Sequence, residues 1–195
     1  MEHLSSRRPR EAALTDAVLR IVAERGLDHV SVREVASAAG VSIGTVQHYF
    51  PTKDDLLLAA FNDVVRRIRH RIESICVGPQ VRHNLSAVLR ELLPLDKERA
   101  AESRMVLAFA ARAATSPALA TIQQTILSEI IDALTDAFTL AAAGRATAAH
   151  CRLSAHVALA AADGLALHAV SSPGLIAGSQ LSAALELLLD GLLFP

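Results

Sequence analysis

The sequence predicts an all-α protein of about nine helices, on three observations. Apolar residues recur every three to four positions, Gly, Pro and capping residues punctuate the chain at helix-length intervals, and no run alternates as a half-buried strand would. The first helix is expected at 11–25, where Leu14, Ala17, Val18, Ile21 and Val22 form one apolar stripe and Gly26 follows at a stop position. Ser31-Val32-Arg33-Glu34 spells a capping box opening a short helix at 32–39, with Val32, Val35, Ala36 and Ala39 inward. Gly40 permits a tight turn, and Ser42 is the expected N-cap of a second short helix at 43–49. Pro51 stops that helix. Thr52 caps the next, 53–76, with Asp54 and Asp55 in its first turn and Arg66, Arg67, Arg69 and Arg71 near its end. Beyond Gly78-Pro79, five more helices are expected near 81–93, 97–115, 117–143, 146–170 and 179–193. Asp96 caps the second of these, Ser116-Pro117 begins the third as N-cap and N1, and Ser171-Ser172-Pro173-Gly174 separates the last two.

Composition narrows the class. Apolar residues are 52% and charged residues 20% of the 195, ample for a core and unlike a disordered chain. No uninterrupted apolar run reaches the roughly 18 residues of a membrane span, and MEHLSSRRPREAAL lacks the apolar stretch of a signal peptide. The expectation is a cytoplasmic protein with no membrane partner. Cys76 and Cys151 lie far apart and read as two reduced, buried thiols. His150, Cys151, His156 and Asp163 share one helix without any i, i+3 or i+4 pair, so no metal site is expected. H-E-x-x-H, P-loop and G-x-G-x-x-G runs are missing, so neither an enzyme nor a cofactor is expected.

The net charge of −1 is informative once divided. Residues 1–71 hold 11 Lys/Arg and 9 Asp/Glu, giving +2, and residues 72–195 hold 8 and 11, giving −3. The sign favours an anion-seeking N-terminal part, with Arg7, Arg8 and Arg10 crowded at its start, where a solvated tail is the alternative.

Helix, glycine turn and helix over 31–50 form the plan of a helix-turn-helix, whose second helix enters the major groove of DNA. One face of that helix must be buried; Val46 and Phe50, with Val41 and Ile43, are expected to supply it. Thr45, Gln47, His48 and Tyr49 then point outward or sideways, and all four can hydrogen-bond. Gln47 suits a bidentate contact to adenine, and Thr45 offers a hydroxyl and a methyl for thymine. Ser31, Arg33, Ser42 and Lys53 stand at helix starts, where side chains and N–H groups meet phosphates. Each also has a plainer reading: Ser31 and Ser42 as caps alone, Lys53 as a solvated charge, Tyr49 as core.

The stretch TDAVLRIVAERGLDHVSVREVASAAGVSIGTVQHYFPTKDDLLLAAF resembles the DNA-binding domain of the TetR family of transcriptional regulators. The family's recognition segment reads V-S-x-G-T-x-Y-x-[HY]-F-x-x-K, and Val41, Ser42, Gly44, Thr45, Tyr49, Phe50 and Lys53 match it, while Gln47 replaces the usual Tyr. LLPLDKERAAESRMVLAFAARAATSPALA and DGLALHAV resemble the C-terminal domain of the BetI-like subgroup.

The resemblance implies a DNA-binding domain over 8–68 and an effector-binding and dimerisation domain over 69–195. It also implies a homodimeric repressor on a palindromic DNA operator, paired through the helices near 146–170 and 179–193 and released by a small-molecule effector. The chain has no Trp, and beyond the recognition segment its rings are Phe61, Phe109, Phe138 and Phe194, too few for an aromatic cage around a quaternary ammonium. A mostly aliphatic pocket with Phe109 and a polar group such as Arg104, Arg112, Gln123 or His156 is expected instead; surface or helix-pair roles are the alternatives for those polar four. Gln47 and the modest +2 also fit a helical binding protein without DNA binding.

Overall fold

A computed structural model describes residues 2–75 and 78–193, with side chains from residue 9 onward. Cys76 and Phe194 therefore lie outside the described residues, while Cys151 is a buried free thiol. Among the described residues there are nine α-helices and no strand. They are α1 (Glu2–Arg25), α2 (Val32–Ala39), α3 (Ile43–Tyr49), α4 (Lys53–Glu73), α5 (Val81–Arg90), α6 (Lys97–Ala113), α7 (Pro117–Ala142), α8 (Ala148–Ser171) and α9 (Gly178–Leu193).

Local chemistry accounts for most boundaries. Gly26 (φ 85°) and Gly40 (φ 67°) end α1 and α2 in a region that side chains with a Cβ rarely adopt. Ser42, Thr52, Asp96 and Thr147 each accept a hydrogen bond from a backbone N–H of the helix they open. Two expected caps differ. At Ser31 half the box forms: Oγ accepts from the Glu34 N–H at 3.2 Å, but the Glu34 carboxylate is drawn to Arg25 Nη1 at 2.6 Å. The reciprocal box forms instead at Thr52 and Asp55. Ser116 occupies its cap position without a side-chain bond, leaving Pro117 at N1 to start α7. α1 runs back to Glu2 through Pro9, well before the expected residue 11. α5 stops at Arg90 rather than 93 because Pro94 disfavours helix in the residues before it.

Two apolar cores organise these helices. The first joins Leu14, Val18 and Val22 of α1 to Val35, Val46, Leu56 and Phe61, and it continues into Met105 and Phe109 of α6 and Leu119 of α7. Phe61 and Phe109 stack with ring centroids 3.8 Å apart and planes inclined by 3°. The second core gathers Leu85 and Leu89 of α5, Leu134 and Phe138 of α7, Ala155, Ala158 and Ala162 of α8, and Leu181, Leu185 and Leu189 of α9. The division expected near residue 68 falls inside α4, and the first core crosses it through α6.

Ion pairs follow the same lines. Asp16 of α1 and Asp63 of α4 both accept from Arg67, and Arg112 of α6 donates twice to Asp54, at 2.9 Å each. Arg82 of α5 holds Glu186 and Asp190 of α9.

α8 is the one described helix long and apolar enough to cross a membrane by length and composition. It also carries Arg152, His156 and Asp163, and its alanine face closes the second core.

Candidate nucleic-acid interface

The turn from α2 to α3 is built by small, local devices. Gly40 donates its N–H to the Ser37 carbonyl, and the Val41 N–H reaches back to the Ala36 carbonyl at 3.0 Å. Ser42 Oγ accepts from the Thr45 N–H at 3.1 Å, which fixes the first turn of α3. Val46, fully buried, then pins the helix to the first core, and Phe50 anchors its C-terminal end from an extended backbone. Seven residues make barely two turns, so without those two anchors α3 would not persist.

The anchors decide what faces out. At about 100° per residue, Val46 centres the buried side of α3, with Thr45 and Tyr49, both half-buried, on its flanks. Gly44, Gln47 and His48 lie away from that side and are exposed, and Ile43, though only about 60° round from Val46, is exposed as well. One sequence expectation is overturned here. Ile43, three residues before Val46, was expected in the core, but it lies at the helix start and is 48% exposed. Thr45, expected to offer its hydroxyl to DNA, has that hydroxyl 2.9 Å from Ser42 Oγ in an exposed contact at the start of α3. The missed signal is helix length, because a helix this short buries one turn rather than a full stripe.

The other expected contact residues are distributed as follows. Gln47 and His48 are exposed, with the His48 ring edge-on to Tyr49 at 5.4 Å. Tyr49 packs against the first core. Arg33 is exposed at the start of α2 beside the Ser31 cap. Lys53 lies at the start of α4 with one ammonium donor on the Leu27 carbonyl at 2.9 Å, which leaves two donors for an outside acceptor.

Gly44 poses a separate question. A Cβ there would meet Ser42 Oγ at 3.8 Å, ordinary contact, and the backbone is helical, so the fold leaves room for alanine. Glycine inside a helix costs roughly 0.5–1 kcal/mol relative to alanine. Nothing within the described chain explains that sacrifice.

The letters Gly40-Val41-Ser42-Ile43-Gly44 also spell G-x-S-x-G, the nucleophile elbow of hydrolases. That elbow needs a strand before its serine; here a helix precedes it, and Ser42 Oγ is occupied as a cap. The match is one of letters alone.

The five candidate effector residues are not gathered into one cavity. Phe109 is fully buried on Phe61, Arg112 is engaged by Asp54, and His156 lies on the exposed face of α8. Half-buried Arg104 reaches the Ala100 carbonyl at 3.4 Å, and Gln123 lines an open alanine groove between α6 and α7, its Oε1 buried without a partner. A recess between α4, α6 and α8 is lined by Ile68, Leu92, Val106, Leu107 and Ala166 on its apolar side, and by Glu91, Arg99, Glu102, Ser103 and Asp163 on its polar side. It holds about 50 Å³ and no aromatic ring. The surrounding atoms desolvate the Asp163 carboxyl and push it up to about 6, although the residue keeps access to solvent.

Comparison with known proteins agrees with this arrangement. Residues 14–60 match the bacterial regulatory proteins of the tetR family, and residues 81–193 match the C-terminal domain of BetI-type transcriptional repressors. A transcriptional regulator from Rhodococcus sp. Rha1 is 39% identical, with 94% of this chain and 95% of that one covered and a TM-score of 0.86. The HTH-type transcriptional regulator PksA of Bacillus subtilis is 33% identical over 105 residues, 53% of this chain and 51% of its own. BetI of Burkholderia thailandensis is 42% identical over 76 residues, 36% of this chain and 39% of its own. The chain thus spans about half or less of the curated relatives it matches. A regulator from Saccharomonospora viridis, in complex with choline, shares the fold at 18% identity, with 92% and 95% of the two chains covered and a TM-score of 0.79. With both halves matched in order along one all-helical chain, this protein belongs to the TetR family of bacterial regulatory proteins and carries a BetI-type C-terminal half.

Proposed function

We propose that the chain is a cytoplasmic transcriptional repressor that binds a two-fold DNA operator as a homodimer and is released by a small-molecule effector. The observation that carries this is the exposed arc of α3, held outward by Val46 and Phe50, with Arg33 exposed at the start of α2 and Lys53 exposed at the start of α4. A recognition helix inserted in the major groove needs such a face, with cations beside it for the phosphates.

The dimer is assigned to α8 and α9. Leu153 (62% exposed) and Leu167 on α8 and Leu187 (76%) on α9 are large apolar side chains left in water, more than a solitary chain needs. Pairing these helices sets the separation of two recognition helices, which must match whole turns of DNA.

The effector site is assigned to the recess around Asp163. Its lining sets five aliphatic side chains beside Glu91, Arg99, Glu102, Ser103 and Asp163, which suits a ligand with an aliphatic body and a polar end, and binding would part α6 from α8 to enlarge it. A ring cage of the kind that holds quaternary ammonium groups has no material in that lining.

The test is equilibrium binding of the full chain to enriched and scrambled duplexes across a salt series. Sequence preference with a steep fall of log affinity against log salt is expected. A shallow slope with no preference overturns the proposal in favour of a helical binding protein that does not read DNA.

A further inference from the structure

The exposed arc of α3 combines chemistries that meet together on one kind of base pair. Ile43 and Gln47 are one turn apart on the same side of the helix, both exposed. Ile43 is a β-branched aliphatic group with 48% of its surface in water, outside both apolar cores. Gln47 makes no hydrogen bond among the described residues, so its amide presents a free donor and a free acceptor on one fork. Between them Gly44 carries no side chain, although the chain itself has room for one. The clearance it provides lies outside the protein, on the side where Ile43 and Gln47 point.

We propose that Ile43 and Gln47 read two adjacent A·T pairs in the major groove, Gln47 on the N6/N7 edge of adenine and Ile43 on the C5 methyl of the neighbouring thymine. The inference rests on α3 being the DNA-reading helix. In the major groove adenine offers an acceptor at N7 and a donor at N6, complementary to a glutamine amide. The thymine methyl is the apolar group on that surface, and an aliphatic side chain gains by covering it. Against a G·C pair, Ile43 would bury polar base edges without satisfying them, so the same residue also rejects the wrong base. Positions i and i+4 stand about 5–6 Å apart on a helix, within reach of neighbouring base pairs in the duplex. Gly44 lets the backbone come close enough for the short Ile43 side chain to touch the groove floor.

The experiment uses the full-length protein and duplexes enriched from a random pool. Each half-site is expected to contain adjacent A·T pairs. Thymines are then replaced singly by uracil, which deletes only the methyl, and adenines by 7-deazaadenine, which deletes only the N7 acceptor. One thymine-to-uracil change per half-site should weaken wild-type binding about five- to tenfold and leave Ile43→Ala binding unmoved. One deaza substitution should weaken wild type and leave Gln47→Ala unmoved. Ile43→Val keeps an aliphatic surface and should retain the methyl dependence; unchanged thermal melts of each variant confirm the fold. If wild type and Ile43→Ala respond alike to every uracil duplex, or if the enriched half-sites lack A·T pairs, the assignment is overturned while DNA binding stands. If no sequence is enriched, the DNA-binding reading itself falls, and the assignment with it.

Discussion

Glu102 of α6, its side chain only 2% exposed, accepts two hydrogen bonds from Arg71 of α4, from Nη1 at 3.0 Å and from Nη2 at 2.6 Å. Arg71 also donates from Nε to Glu91 at 2.7 Å, and Arg99 reaches Glu91 from the other side at 3.0 Å. The pair seals a buried charge at the C-terminal end of α4. Together the two carboxylates hold the Arg71 guanidinium above its usual range, with the bond to Glu102 the largest cause.

Removing Arg71 leaves a carboxylate buried without its cation. Arg71→Met is therefore expected to lower unfolding free energy by about 3 kcal/mol, whereas Arg71→Met/Glu102→Leu, which removes both charges, should recover most of that. Urea unfolding of the two variants checks it; equal losses in both would mean that packing, not charge, is what Arg71 supplies.

The Arg112–Asp54 pair ties the other end of α4 to α6, but it is open to water. A double-mutant cycle with Arg112→Ala and Asp54→Ala should show a small favourable coupling at low salt that fades near 1 M salt. Undiminished coupling at high salt would contradict a screened surface pair.

Asp163 gives the protein a stability term with a definite sign. Its folded carboxyl titrates near 6 rather than at the unfolded value of 3.8. Between those values the fold holds a proton that the unfolded chain releases, so stability falls as pH rises through the window and stays reduced above it. Asp163→Asn should raise stability at pH 7 by about 1 kcal/mol, discounted because solvent reaches the group, and should flatten that slope. Thermal melts from pH 4 to pH 7 decide the matter, and parallel wild-type and variant curves would refute it.

The sequence made the local devices legible. Gly26, Gly40, Thr52 and Asp96 act through backbone chemistry within three or four residues, and they lie where the pattern puts them. Residues whose state depends on a neighbouring element were harder to read. Ile43 and Val46 are equally apolar, and only the docking of α3 decides that one is wet and the other dry. Glu34 could have closed its own helix cap, but Arg25 sits nearer in the fold. His156 and Arg112 satisfy a search for polar groups on the right helices, yet α8 turns one to solvent and Asp54 claims the other. Asp163 drew attention as a metal ligand, a role its spacing denied; its place in a recess is a tertiary fact.

The uninterrupted run of α4 past residue 68 has a mechanical consequence. Domain motion commonly bends at a loop, and this chain has none where the reading head meets the body. With α4 fastened to α6 at both ends and Phe61 stacked on Phe109 between them, the two recognition helices of a dimer would be steered by tilting whole rods. A ligand that parts α6 from α8 would thus act on the head as a lever acts on its load, and a head cut away at residue 68 would lose both its fulcrum and half the roof of its core.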